Sequence, residues 1–164
     1  LRSKSVTKLE VITNQDDKQP QLTVESEVGN VVLKWDPIGN ASEYIIFRNN
    51  NELKKISKPA YKDKVDGGKS YAYNITSVDN NGEKGTRSLT EYGKALLPSP
   101  SNIKAQANKN AVSLSWIAVN NATSYNIYRD DDLINSTTEF SISFDVFPFA
   151  VVAPLIAVTI SLSK

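Results

Sequence analysis

The chain has 164 residues, 40% of them hydrophobic, and its 19 basic and 18 acidic side chains leave a formal net charge of +1. That composition supports a buried core and argues against wholesale disorder, and the charge balance gives no reason to expect a nucleic-acid surface or a strongly anionic partner. With neither Cys nor His in the chain, thiol nucleophiles, the usual zinc ligands and Ser-His-Asp or Cys-His arrangements are excluded, while oxygen-ligated Ca²⁺ and carboxylate-only chemistry stay open.

In chain order, Leu1-Arg2-Ser3-Lys4-Ser5 has no apolar h-region and does not read as a signal peptide. The sequence contains no Met, so a processed or cloned fragment is expected. Lys4-Ser5-Val6-Thr7 is similar to Arg87-Ser88-Leu89-Thr90, and residues 1–19 are therefore expected to be the tail of a preceding module or a linker. Strands are expected near 21–26, 30–36, 43–49, 52–56, 59–63, 69–78 and 84–92. Around Leu33-Lys34-Trp35 polar and apolar residues alternate, as in a half-buried strand. Tyr44-Ile45-Ile46-Phe47 is rich in β-branched and aromatic types. The run from Lys69 to Val78 also alternates, which puts Tyr71, Tyr73 and Ile75 on one face. Asp79-Asn80-Asn81-Gly82 follows, and Asn-Gly marks a hairpin because both residues tolerate positive φ. No stretch sustains a 3.6-residue period, so little helix is expected.

The second half repeats the first. Residues 31–48 read VVLKWDPIGNASEYIIFR, and residues 112–129 read VSLSWIAVNNATSYNIYR. Trp116 stands 81 positions after Trp35 (116 − 35), and the same offset relates Asn121-Ala122 to Asn40-Ala41, Tyr125 to Tyr44 and Tyr128-Arg129 to Phe47-Arg48, with no gap. A unit of this length is too long for a helical solenoid repeat and suits a small sandwich. Two domains are expected, at 20–97 and 98–164, joined through Leu97-Pro98-Ser99-Pro100-Ser101, whose prolines imply a short, semi-stiff connection.

These residues resemble the fibronectin type III family, of the kind found in tandem in bacterial extracellular proteins. Trp35 and Trp116 match the family's strand B tryptophan, and Tyr44 to Arg48 and Tyr125 to Arg129 match its strand C. Gly67-Gly68-Lys69-Ser70-Tyr71-Ala72-Tyr73-Asn74-Ile75 is similar to the entry to strand F. The resemblance implies that Tyr71 is a corner tyrosine bonding backbone upstream. It implies an all-β fold of two immunoglobulin-like sandwiches, with a core that includes Trp35, Tyr44, Tyr71, Tyr73, Trp116 and Tyr125. After about residue 143 the pattern fails. The Gly-x-x-Tyr entry is missing, and Pro154 falls where a central strand belongs. The second domain is expected to be truncated or aberrant there, with self-association through its incomplete sheet as a hazard. The apolar stretch from Val146 to Ile160 carries Pro148 and Pro154 and is too short for a spanning helix.

Candidate chemistry is sparse. Gly67-Gly68-Lys69-Ser70 resembles a phosphate loop, but Asp63 stands where its first Gly belongs and a strand follows. Asn49-Asn50-Asn51-Glu52 and Asp130-Asp131-Asp132 offer oxygens for Ca²⁺, yet polar turns explain them better. Lys54, Lys55, Lys58 and Lys62, with Lys64 and Lys69 nearby, form the one candidate ligand patch, for an acidic glycan or wall polymer. Glu52, Asp63 and Asp66 interleave with them, as on a solvated sheet edge guarded by lysine. Asn40, Asn74, Asn121 and Asn135 begin glycosylation sequons. No catalytic residue, cofactor or metal site is expected.

The expected function is a non-catalytic spacer or adhesion module of a larger secreted or cell-surface protein, working beside that protein's other domains. The alternative is a module that binds a polysaccharide or a surface protein through its loops or the Lys-rich edge.

Overall fold

A computed structural model describes residues 19–107, 111–145 and 160–161. The expected tail at 1–19, apart from Gln19, and the apolar stretch with Pro148 and Pro154, apart from Ile160, lie outside these residues. All regular structure among the described residues is β. The first repeat supplies β1 (Thr23–Glu27), β2 (Asn30–Lys34), β3 (Ala41–Arg48), β4 (Asn51–Ile56), β5 (Ala60–Lys64), β6 (Ser70–Asp79) and β7 (Glu91–Lys94). The second supplies β8 (Ser101–Ala107), β9 (Ala111–Ile117), β10 (Tyr125–Arg129), β11 (Asp132–Thr137), β12 (Ser141–Asp145) and the short β13 (Ile160–Ser161).

The strands divide between sheets in one pattern, used twice. In the first repeat the sheets run β1-β2-β5 and β4-β3-β6-β7; in the second they run β12-β9-β8 and β11-β10-β13. The first, second and fifth strands share one sheet, and the third and fourth join the sixth in another. This is the strand partition of an immunoglobulin-like, fibronectin type III-like sandwich fold. β3 is antiparallel to both β4 and β6, and β10 to both β11 and β13.

By backbone proximity the chain separates into two compact units. One holds Lys34–Pro59 and Tyr73–Glu91, and with them most of the four-stranded sheet. Its interior is built from Trp35, Tyr44, Ile45, Ile46, Tyr73, Ile75 and Val78. β6 is buried on both faces, because Asn74, Thr76 and Ser77 are as enclosed as the apolar residues between them. The other unit holds Val24–Leu33, Ala60–Ala72 and the chain from Tyr92 onward. There Val112, Leu114, Trp116, Tyr125 and Ile127 form a core against which Val119, Ala122, Ile134, Ile142 and Phe144 pack.

Sequence repetition becomes geometric repetition at several points. Trp35 meets Tyr44 edge-on at 5.2 Å and 71°, and Trp116 meets Tyr125 at 5.2 Å and 62°. Such T-shaped pairs set the positive ring edge against the negative ring face. The Tyr44 hydroxyl accepts the Ile38 N–H at 2.8 Å, and the Tyr125 hydroxyl accepts the Val119 N–H at 2.8 Å. In both repeats the indole Nε1 is buried with no hydrogen-bond partner. A bulge interrupts β3 against β4 between Ile46 and Phe47, and β10 against β11 between Ile127 and Tyr128.

One expected strand is corrected. The reading 84–92 is replaced by β7 at Glu91–Lys94, preceded by irregular backbone with an isolated bridge between Val78 and Lys84. The cause is Ser88. Its N–H donates to the Ile75 carbonyl at 2.7 Å, while its hydroxyl accepts the Ile75 N–H at 2.9 Å. A side chain therefore takes a position that a backbone carbonyl would hold in a regular ladder, and strand geometry is lost from 85 to 90 while hydrogen bonding to β6 is kept.

Candidate functional site

The lysines singled out in the sequence do not share one strand. Lys54 and Lys55 lie exposed on β4, the outer strand of its sheet, opposite Ile46 and Ile45 of β3. As consecutive strand residues they point to opposite faces. Lys58 is exposed in the turn before β5, and Lys62 is exposed on β5, where it pairs with Glu27. Asn51, Glu52, Lys54 and Lys55 make β4 a polar, charged border, the kind that resists edge-to-edge pairing.

Of the six aromatic residues expected in the core, Trp35, Tyr44, Tyr73, Trp116 and Tyr125 are buried, and Tyr71 is half-buried at the start of β6. The hydroxyl-to-backbone bond that the resemblance assigned to Tyr71 is a kind of bond made by Tyr44 and Tyr125. Among large aromatics, Tyr92 and Phe140 are exposed, at 72% and 55%. They sit in different repeats and form no stacking ladder.

The oxygen-rich segments are turns. Asn49 and Asn50 have φ of 51° and 67°, and their counterparts Asp130 and Asp131 have 52° and 68°. Two successive residues at positive φ are the type I′ geometry that matches strand twist. The Gly67-Gly68-Lys69-Ser70 segment is a turn leading into β6, a strand where a phosphate loop requires a helix. Asp79 Oδ1 accepts the N–H groups of Asn81 and Glu83 at 2.8 and 2.9 Å, so this carboxylate organises its hairpin. Among the described residues no three His, Cys, Asp or Glu side chains cluster as a metal site.

Among the depressions of the described residues, two are larger than the one lined by Arg48, Asn49 and Leu53. Ile38, Gly39, Asn40 and Ala41 face Ser77, Asp79 and the 83–85 hairpin across a cleft of about 290 Å³. A shallower one, of about 410 Å³, lies on the outer face of the β12-β9-β8 sheet. There Gln106, Ser113 and Ser143 form one cross-strand row and Lys104, Ser115 and Ser141 another. Ser113 and Ser143 hydroxyls lie 3.2 Å apart.

No family model matches the chain, and no curated protein matches it. Solved structures do. It is similar to the central fibronectin-III array of RIM-binding protein, at 15% identity over 77% of this chain and 52% of that one, with a TM-score of 0.40. It is also similar to chicken CNTN1 FN1-FN3 domains, at 16% identity over 76% and 53%, TM-score 0.40. The fibronectin(III)-like modules of Clostridium thermocellum CbhA match at 12% identity over 77% and 80%, TM-score 0.36. The chain spans about half the length of the first two. All three fall below a TM-score of 0.5, and the fold assignment stands on the strand order described above.

Interactions that sequence reading missed lie around β6. Asn74 Nδ2 donates to Thr90 Oγ1 at 2.9 Å and to the Ser88 carbonyl at 3.3 Å. The Arg87 guanidinium lies 3.8 Å over the Phe47 ring and reaches Asn50 Oδ1 at 3.4 Å. The available signal was Asn74 itself, a strand-averse residue inside a strong strand pattern. No helix of the described residues is long and apolar enough to cross a membrane.

Proposed function

We propose that this chain is a tandem of bacterial-type fibronectin III-like modules, at 20–97 and 98–164, serving as a non-catalytic spacer or adhesion segment of a larger secreted or cell-surface protein. One observation carries this reading. The matched aromatic residues of both repeats are spent on the scaffold, through the paired Trp35–Tyr44 and Trp116–Tyr125 contacts and the Tyr hydroxyl bonds to Ile38 and Val119. Asp79, Ser88, Asn74 and Asp66 likewise hold turns or strand segments. The partners on this reading are the parent protein's other domains. Exposed Ile117, Leu133 and Phe140 in the second repeat favour self-association as a secondary behaviour.

A second reading, a glycan- or protein-binding module, is favoured by the cleft between 38–41 and 77–85 and by the exposed Lys54 and Lys55 on β4. One experiment separates the two. The purified chain is passed over immobilised acidic and neutral polysaccharides and isolated cell walls at low salt. The spacer reading expects no retention. Saturable retention that is abolished by Lys54→Glu with Lys55→Glu, or by substitutions in the cleft, would overturn it in favour of binding.

A further inference from the structure

The turn between β5 and β6 has a role that turn chemistry alone leaves unexplained. Asp66 accepts a hydrogen bond from Lys69 Nζ at 2.8 Å, which closes the turn from its solvent side. Gly68 adopts a φ of 80°, a backbone state costly for other residues. Its N–H donates to the Ala95 carbonyl at 2.8 Å. At Gly67 a Cβ would come within 2.8 Å of the Leu96 carbonyl and 3.2 Å of Leu97 Cα, so only glycine lets these two backbones approach so closely. The 95–97 segment is also held on its other side, where the Leu96 N–H donates to the Glu27 carbonyl at 2.8 Å and the Leu96 carbonyl accepts the Gly29 N–H at 3.0 Å.

The second repeat reaches the same turn. Asn121 Nδ2 donates to the Gly67 carbonyl at 3.0 Å. A Cβ at Gly68 would stand 3.4 Å from Asn121 Cβ, in van der Waals contact. Asn121 has a φ of 64°, a left-handed conformation that its repeat counterpart Asn40 does not adopt. The loop carrying it is anchored by Ala122 N–H to the Val119 carbonyl at 3.1 Å and by Val119 N–H to the Tyr125 hydroxyl at 2.8 Å. Tyr125 in turn packs on Trp116. All these partners, from Glu27 to Tyr125, belong to the same compact unit. Only 98–100, which includes Pro98 and Pro100, lies between the pinned segment and β8.

We propose that Gly67-Gly68, Leu96-Leu97 and Asn121 form a locked joint between the two repeats, so that the linker is held as a strut where a flexible tether would otherwise run. The inference deepens the spacer reading and rests on it for its purpose.

The absence of cysteine makes the test clean. A Lys64→Cys, Thr138→Cys chain, both positions exposed and in the compact unit that holds the joint, is spin-labelled and its distance distribution measured by pulsed electron–electron resonance. One narrow distribution is expected. Asn121→Gly keeps access to the left-handed backbone while removing the hydrogen bond, and Gly67→Ala wedges the contact apart; each should broaden the distribution at least roughly twofold, toward the spread of a flexible linker. Thermal midpoints followed through Trp35 and Trp116 fluorescence should stay near those of the parent, which separates loosening of the joint from loss of fold. A parent distribution already as broad as that of a chain with Gly-Ser residues inserted at 98–100 would overturn the joint. So would distributions unchanged in both variants, or broadening that appears only alongside lowered midpoints. A narrow distribution in a chain that nonetheless binds polysaccharide saturably would sink the spacer reading and leave the joint standing.

Discussion

Among the described residues the two repeats share their first five strands and differ at the sixth. In the first, β3 is flanked by β6 along its whole length, from Ala41 opposite Asp79 to Arg48 opposite Tyr73. In the second, the described pairing of β10 on that side is confined to Asn126 with Ser161 and Ile127 with Ile160. Yet the Trp–Tyr pair, the tyrosine-bonded loop, the two-residue left-handed turn and the bulge are the same in both. These features are local to the second, third and fourth strands. The difference teaches that the repeat's signature is a self-contained corner, while the closing sheet is a separate layer of stabilisation.

Substitutions at matched positions sharpen that comparison. The largest effect is expected from Leu33→Ala and Leu114→Ala, which empty equivalent buried sites. Each should cost about 2–5 kcal/mol, in line with other large-to-small core changes. Urea unfolding of the Trp116→Phe and Trp35→Phe backgrounds reports each repeat by its remaining tryptophan. The first repeat is expected to have the higher midpoint, and equal midpoints would remove the contribution assigned to β6.

Ser88→Ala comes next. It strands the Ile75 N–H, and about 1–3 kcal/mol should be lost from the first repeat's transition alone. A loss spread across both transitions would contradict the assignment. Tyr44→Phe and Tyr125→Phe should each cost about 1 kcal/mol, since each removes one hydroxyl acceptor and leaves the ring pair in place. The two costs should agree closely, and a marked disparity would break the equivalence of the corners.

The smallest effect concerns pH. The hydrogen bond from Lys69, with its charge, holds the Asp66 carboxyl below the ordinary value of 3.8. The same bond, donated to Asp66, holds the Lys69 ammonium above 10.5. For Asp66, the lowered group, any contribution is present above its unfolded value and lost as pH falls through the folded one. For Lys69, the raised group, the contribution is present below its unfolded value and lost as pH rises through the folded one. Both sides are fully exposed, so the midpoint should change little across neutral pH. A carbon-detected titration should show Asp66 Cγ moving below the usual carboxylate midpoint, and Lys69→Ala should return it to that midpoint.

Much of the fold was legible because β signals here are local. The Asn-rich and Asp-rich turns, the alternation around Trp35 and Trp116 and the offset of 81 between them all pointed to the strands that formed. What escaped was long-range. Nothing within 84–92 shows that Ser88 will place its hydroxyl in a backbone ladder, because its partner, Ile75, lies 13 positions away. Asn121 and Asn40 occupy the same place in the repeat, and a left-handed backbone and the bond to Gly67 set Asn121 apart. The lysine cluster looked like one patch because its members are close in sequence, but β4 and β5 belong to different sheets. At the candidate site, then, residue types were readable and their juxtaposition was not.

The Ser88 hydroxyl has one more consequence. A carbonyl in a ladder moves only with its peptide plane, whereas a hydroxyl is carried on a side chain that can rotate away by itself. The Ile75 amide can therefore be released to solvent without separating two strands. In a strand as enclosed as β6, its deuterium exchange should run ahead of that of its neighbours, marking the place where the layer first breathes.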